Sequence, residues 1–323
     1  SAYADYMLKT KKISAKAGVR YEHTFSDVKY EKMPERNFDA GFDNLVPSFR
    51  VGYQLAPSKM LSLSYQMRIS RPNINLLNPF RNTSNPTSVH YGNPDLDPAK
   101  SHRFGLSINS FSAKFSTNIN LSYRLVNNSI QSYTFMQDGI QHSTYANIGR
   151  AQTTDLFIWL NWNPGNKMRI SINAGGSYND YKSKSDQLDA KNHGFQGNMN
   201  LNFQYTLPWD LRFSAFCGGS TPYISMQGKG SSYSYYGFGL NRSFLKNKRL
   251  TVSLNTNNSF NKWRTSESET LTSTFRTQSK SKYAQSHYGV SISWRFGELK
   301  ASVKKTAKSI SGDDIMATQQ SGS

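Results

Sequence analysis

The strictest pattern in the sequence is an alternation of apolar and polar residues over positions 195–207, FQGNMNLNFQYTL. Every second residue from Phe195 is apolar, aromatic or glycine, whereas the residues between are amides and one threonine. A period of two is that of a β-strand with one face toward an apolar medium and the other toward water. The run exceeds the roughly 5–6 residues of an ordinary strand and reaches the roughly 9–11 that cross a bilayer. It therefore predicts a membrane-crossing strand.

The alternation recurs along the chain, with short connections such as 163–166 between the repeats and longer loops at 26–44, 71–100, 183–193, 226–232 and 264–275. Only a closed barrel pairs every backbone group of β-structure in lipid, and such barrels have short turns at one end and longer loops at the other. The prediction is an all-β, antiparallel, up-and-down transmembrane barrel with about 13 strands. Their expected bounds are 2–9, 12–26, 42–56, 59–72, 99–111, 113–136, 140–163, 166–184, 192–208, 210–227, 230–245, 248–268 and 272–297.

The composition agrees with a barrel that has a wet interior. Hydrophobic residues make up only 36% of the chain and the mean hydropathy is −0.65, as expected if half of each strand faces a polar lumen. The 19 tyrosines and 19 phenylalanines argue against disorder. The net charge of +19 comes from scattered lysines and arginines, which favours outer-membrane lipid, including anionic lipopolysaccharide, over nucleic acid as the partner.

One long loop carries a more specific signal. Residues 68–107 read RISRPNINLLNPFRNTSNPTSVHYGNPDLDPAKSHRFGLS. The succession of S-R-P, L-N-P-F and G-N-P-x-L-x-P-x-x-S-H resembles the outer-membrane β-barrel family of Bacteroidetes that is related to TonB-dependent receptors. A second stretch, 294–314, is similar to the last strand of that family with a basic tail after it. The residue after the last proline of the motif, acidic in the family, is Ala99 here.

The resemblance implies the C-terminal portion of a barrel with up to 22 strands, although no plug segment is recognisable in the sequence. Residues 1–297 would form the barrel and residues 298–323 a basic periplasmic tail. The implied function is ligand uptake or porin-like passage across the outer membrane, with a surface lipoprotein and an energy-coupling protein as possible partners. The alternatives are a structural or docking barrel without transport and, less favoured, a soluble β-rich adhesin.

No catalytic, cofactor or metal motif is present, so the chain is expected not to be an enzyme and to need no cofactor. His142, Ser143 and Asp138 lie close in sequence, but a polar projecting hairpin is the simpler interpretation. The loop motif makes Asn78, Phe80, Asn93 and Asp95 the candidate ligand-binding or loop-shaping residues. By alternation, the candidates for lining the lumen are Asn198, Asn200, Asn202, Gln204, Arg124 and Arg169.

Overall fold

The computed structural model describes residues 1–29, 38–183, 191–271 and 275–296. These ranges contain one short α-helix, Ile74–Leu77 (α1), and 21 strands. The predicted tail, 298–323, lies outside the described residues, as do parts of three predicted loops, 26–44, 183–193 and 264–275. The strands are β1 Ala2–Lys9, β2 Ile13–Val28, β3 Phe38–Ala56, β4 Lys59–Ser70, β5 Asn82–Asn85, β6 Ser88–His90, β7 Ala99–Ser110, β8 Phe115–Val126, β9 Ile130–Gln137, β10 Ile140–Asn147, β11 Arg150–Gly165, β12 Met168–Lys182, β13 Lys191–Thr206, β14 Leu211–Ser220, β15 Ile224–Ser225, β16 Gly228–Lys229, β17 Tyr233–Phe244, β18 Leu250–Asn257, β19 Trp263–Leu271, β20 Arg276–Ala284 and β21 His287–Trp294.

Thirteen of these strands form one antiparallel sheet, in the order β1-β2-β3-β4-β7-β8-β11-β12-β13-β14-β17-β18-β21. Each strand pairs with the main-sheet strands before and after it in the chain, which is the up-and-down arrangement that the sequence predicts. The predicted number of strands is confirmed. In the described part of the chain β1 and β21 do not pair with each other, so the sheet is an open portion of a barrel.

The register aligns the alternating patterns of all these strands into two continuous faces. Leu201 of β13 lies opposite Ile172 of β12 and Cys217 of β14. The neighbouring residue Asn202 lies opposite Ser171 on the other face. The first face exposes large hydrophobic side chains, among them Leu63, Phe104, Leu106, Ile108, Phe115, Leu121, Met199 and Leu254. We call the first the apolar face and the second, rich in amides, hydroxyls and charges, the polar face.

The longest predicted strands are wrong in one respect, because the structure divides them. The segments 113–136 and 140–163 each break, at 127–129 and 148–149, so that β9 and β10 leave the main sheet and join β5 and β6 in a smaller one. Gly149 permits the second break, because its φ is +98° and a Cβ there would lie 2.2 Å from the carbonyl oxygen of Lys182.

The same division occurs at the end of the chain. The predicted strands 210–227, 248–268 and 272–297 split in the same way, and their outer parts form a second small sheet of β15, β16, β19 and β20. The outer parts of the long strands thus pair with one another, as β19 does with β20, or with short strands of the loops, as β15 does with β16, rather than continuing in the main sheet.

A small hydrophobic core holds the long loop 71–98 against the base of the first small sheet. Leu76 and Leu77 of α1 are buried together with Leu96, which is 3% exposed, and with Ile130 of β9. The side chain of Asn73 begins the helix by accepting a hydrogen bond from the Leu76 amide at 3.1 Å. This loop is therefore a packed element with its own core.

The two faces predict different costs for the same charged side chain. We expect Leu201→Arg to destabilise the barrel by roughly 2–4 kcal/mol, because the arginine would point into lipid. Asn202→Arg should cost much less, because it adds a cation to the polar face. Folding of both variants into lipid vesicles, followed by urea titration, measures the difference. Equal penalties would contradict the assignment of the faces.

The loop core predicts a local effect. Leu96→Ala should destabilise the packing of residues 71–98 by about 2–5 kcal/mol, because truncation of a buried leucine leaves a cavity. Ile74→Ala is the matched control, since Ile74 lies in the same loop but is 56% exposed. Limited proteolysis of the protein in intact outer membranes should cut the loop of Leu96→Ala faster and leave that of Ile74→Ala unchanged. The same cutting rate in both variants would show that this core does not hold the loop.

Candidate functional site

Two hollows lie side by side on the polar face of the main sheet. The first has a volume of about 540 Å³ and is lined by strands from β2 to β11. The second has a volume of about 710 Å³ and is lined by strands from β7 to β17. Arg103 and Phe157 line both, so these two side chains mark the boundary between them. Each volume falls within the range of roughly 300–1,000 Å³ that is typical of small-molecule sites.

Four predicted lumen-lining residues follow one another along the polar side of β13. Asn198 lines the second hollow. The amide of Asn202 donates to the side chain of Asn200, which in turn donates to the Tyr235 hydroxyl at 2.5 Å. Gln204 lies on the same face, opposite Arg169. The structure thus brings these amides together on one surface, and that this surface borders a lumen stays a prediction.

The two predicted arginines lie on the same face. Arg169 donates from Nε to Oδ1 of Asn161 at 2.9 Å, which fixes the side chain against β11. Arg124 lines the second hollow and lies directly opposite Arg103 of β7 in the register. The polar face therefore carries fixed amides and several cations within reach of solvent.

Arg103 is held by a short hydrogen-bonded chain. Its Nη2 donates to the Ser122 hydroxyl at 2.9 Å and lies 3.7 Å from Oδ2 of Asp155. The Ser122 hydroxyl donates to the same carboxylate oxygen at 3.4 Å. The guanidinium is half-exposed, so this ion pair positions the cation rather than adding much stability.

Sequence reasoning missed the members of this site that lie on β11. The stretch DLFIWLNW reads as a continuous apolar run, which hides the alternation. In the structure Asp155, Phe157, Trp159 and Asn161 share the polar face, since their partners on β8 are Ser122, Asn120, Asn118 and Ser116. Asp155 and Asn161 flank the apolar run 156–160 and are separated by an even number of positions, so both lie on the same face of a strand. This spacing was the signal that could have placed the rings of Phe157 and Trp159 on the polar face.

The loop motif has a structural role at Asn93. Its side-chain amide donates to the Tyr145 carbonyl at 3.0 Å, and its Oδ1 accepts from the Asp95 amide at 2.9 Å. Its own backbone amide donates to the Leu76 carbonyl at 2.7 Å. Tyr145 packs against the loop core, and burial raises the pKa of its phenol. Asn93 thus joins α1 to β10 across the loop.

Of the other three motif residues, Asn78 makes hydrogen bonds within the loop, whereas Phe80 and Asp95 are exposed. Oδ1 of Asn78 accepts from the Phe80 amide at 3.0 Å, and the Asn78 carbonyl accepts from Gly92 at 2.8 Å. The ring of Phe80 is 56% exposed and Asp95 is also exposed. The structure therefore places Asn78 and Asn93 inside the loop, whereas Phe80 and Asp95 face solvent. Whether any of them contacts a ligand stays a prediction.

The start of the motif is tied to the barrel wall. The guanidinium of Arg71 forms an ion pair with the carboxylate of Glu22 on β2, and Arg20 pairs with the same buried carboxylate. Because the buried Glu22 carboxylate is the shared partner of both guanidinium groups, its removal would leave two cations without their counter-charge. The long loop thus leaves β4 at a fixed position.

A single glutamine connects the two small sheets. Gln227, between β15 and β16, accepts from the Thr134 amide at 3.1 Å and donates to the Thr134 carbonyl at 3.4 Å. A side-chain amide here reproduces the pair of hydrogen bonds that a neighbouring strand would make with β9. These two hydrogen bonds therefore join the second small sheet to β9 of the first.

The neighbouring His142, Ser143 and Asp138 do not form a hydrolytic arrangement. The His142 ring is buried and stacks on Phe135 at 5.3 Å, with Tyr91 edge-on at 6.0 Å. Ser143 follows it on the strand and so points to the opposite face. Asp138 lies in the tight turn before β10, at a φ of +52°. The interpretation as a projecting hairpin fits this packing.

In the described ranges, no three His, Cys, Asp or Glu side chains come close enough together to hold a metal ion. Over the same ranges, no helix has the length and apolarity required to cross a membrane.

Comparison with solved structures shows where this fold has been seen. The chain is similar to the FrpB iron transporter from Neisseria meningitidis (F5-1 variant), with a TM-score of 0.65 and 12% identity over 91% of this chain and 45% of that one. It is similar to the ferric yersiniabactin uptake receptor FyuA from Yersinia pestis, with a TM-score of 0.62 and 14% identity over 91% and 45%. The copper transporter OprC gives a TM-score of 0.60 and 12% identity over 80% and 42%.

At these identities the likeness shows the fold alone, and the chain spans less than half the length of each of these proteins. None of the curated proteins matches the chain in sequence. The family model described as the outer membrane protein beta-barrel family matches residues 1–294. Since that range includes most of the sequence, the chain belongs to the outer membrane protein beta-barrel family and is a protein of the outer membrane.

Proposed function

We propose that the chain forms the wall of an outer-membrane uptake protein of the TonB-dependent-receptor type, and that it is not an enzyme. The observation that carries this proposal is the sheet of thirteen strands with one apolar face and one polar face that holds two hollows. Such a wall keeps lipid on one side and guides a hydrophilic solute on the other. The fold of the iron, ferric-yersiniabactin and copper transporters gives this proposal further support.

The proposal includes partners at three positions. Lipid, including anionic lipopolysaccharide, would surround the apolar face. A surface lipoprotein would cover the small sheets that Gln227 connects, and an energy-coupling protein would act from the periplasm. The motif in residues 68–107 supports an origin in Bacteroidetes. Each of these partners follows from the resemblance in the loop and from the two-faced sheet.

Uptake should depend on the polar face and tolerate change on the apolar face. Ser107 and Ile108 are neighbours on β7 that point to opposite faces, and Ser107 lines the first hollow, whereas Ile108 does not. We expect Ser107→Trp to reduce uptake, because the indole would fill part of the hollow. Ile108→Trp should leave uptake unchanged, because it replaces one lipid-facing apolar side chain by another. Heat-resistant migration on gels verifies that both variants fold.

The measurement compares a deletion strain with strains that carry the wild-type or variant protein. Mass spectrometry of the spent medium follows the depletion of every component, metals included, so that the ligand need not be known in advance. At least one component should be depleted more slowly in the deletion and Ser107→Trp strains. Equal depletion of every component in all strains would overturn uptake and favour a docking or structural barrel.

A further inference from the structure

We infer that the first hollow on the polar face binds a hydrophilic solute with two anionic groups. The site lies between Lys16 and Arg50 at one end and Arg103 at the other, and Arg124, which lines the second hollow, lies directly opposite Arg103. This inference rests on the proposed function, since it names the chemical class of ligand that the uptake protein would carry.

Each cation pair places two like charges directly opposite each other in the sheet. Lys16 of β2 is the register partner of Arg50 on β3. Arg103 of β7 is the register partner of Arg124 on β8. Like charges in directly opposed positions of an antiparallel pair destabilise the sheet. An anion bound between them removes this repulsion, so the arrangement favours an occupied state.

The carboxylates nearby neutralise only part of this charge. Asp5 lies 3.1 Å from Lys16, and Asp155 lies 3.7 Å from Arg103. Arg50 makes no hydrogen bond or ion pair with any residue in the described part of the chain. No acidic residue lines the first hollow. The hollow therefore keeps an excess of positive charge, and Arg50 has its full set of donors free for a ligand.

Small polar groups form the floor between the two cation pairs. Ser64 lies opposite Arg50 on one side and Gly105 on the other. A Cβ at Gly105 would approach the Ser64 hydroxyl to 2.8 Å, so glycine leaves room in the hollow at this point. Gln66 and Asn120 add amides to the lining. Hydroxyls and amides between two cationic ends match a hydroxylated solute that carries an anion at each end.

The spacing of the strands sets the expected length of the ligand. One strand, β4, separates β3 from β7, so the nearest members of the two pairs, Arg50 and Arg103, lie two strand spacings apart. They are also offset by two residues along β4, since Arg50 lies opposite Ser64 and Arg103 opposite Gln66. Two spacings correspond to roughly 10 Å at about 4.8 Å between strands. Guanidinium groups bind carboxylate and phosphate through paired hydrogen bonds, so either anion fits the ends. A single small anion can satisfy only one end.

The test uses the whole protein, purified from outer membranes in detergent, and three probes built on the same sugar. Fructose bisphosphate has two anionic ends, fructose monophosphate has one and free fructose has none. We expect calorimetric affinity to fall in that order, and the affinity for the bisphosphate to fall with rising salt, because the cations are half-exposed. Arg50→Gln and Arg103→Gln should each weaken binding of the bisphosphate by about tenfold or more.

Arg212→Gln is the matched control, because Arg212 lies on the polar face of β14, five strands along the sheet from β7 and outside the hollow. It should bind the bisphosphate like the wild type. The inference is overturned if the wild type does not bind the bisphosphate, or if Arg50→Gln and Arg103→Gln both bind it as tightly as the control. Because these measurements involve no transport, binding without uptake would overturn only the proposed function, and uptake without such binding only this site.

Discussion

The ladder of backbone hydrogen bonds between neighbouring strands is the constraint on which the rest of the molecule depends. In lipid an unpaired backbone amide or carbonyl costs several kcal/mol, so every membrane-crossing strand must pair along its length. The ladder also fixes the register, and a slip by one residue would turn Leu201 inward and Asn200 and Asn202 into lipid. The polar face and its hollows exist only because this register holds across the whole sheet.

The polar face combines hydrophilic side chains with fixed side-chain positions. Its amides bond to one another and to tyrosine, as in the chain from Asn202 through Asn200 to Tyr235. Arg169 is held by the neutral amide of Asn161, and Arg103 by the Ser122 hydroxyl and an ion pair with Asp155 at 3.7 Å. Fixed cations beside small serine and glycine residues line the hollows that a solute can enter. The same side chains would be prohibitively costly on the apolar face.

The outer parts of the chain form a second layer of structure, in which strands do not have to pair along their whole length. Where the sheet leaves the membrane, water can pair the backbone, so strands are free to break and change partners. Gly149 permits one such break, and the core around Leu96 and Ile130 then stabilises the loop beside it. Gln227 joins the two small sheets through paired hydrogen bonds to Thr134. The motif residue Asn93 belongs to this layer, because it connects α1 to β10.

The sequence by itself determined the number of main-sheet strands and the face on which Asn198, Asn200 and Asn202 lie, because alternation is a local property of each strand. It also placed the loop motif, and with it the relation to outer-membrane barrels. Only the tertiary structure decided where long strands break, since the polar outer segments, such as β9 and β10, form strands whether they pair within the main sheet or with each other. It also decided that Lys16 meets Arg50 and that Arg103 meets Arg124. Those encounters depend on the register between strands, and register is a property of paired segments that no single segment specifies.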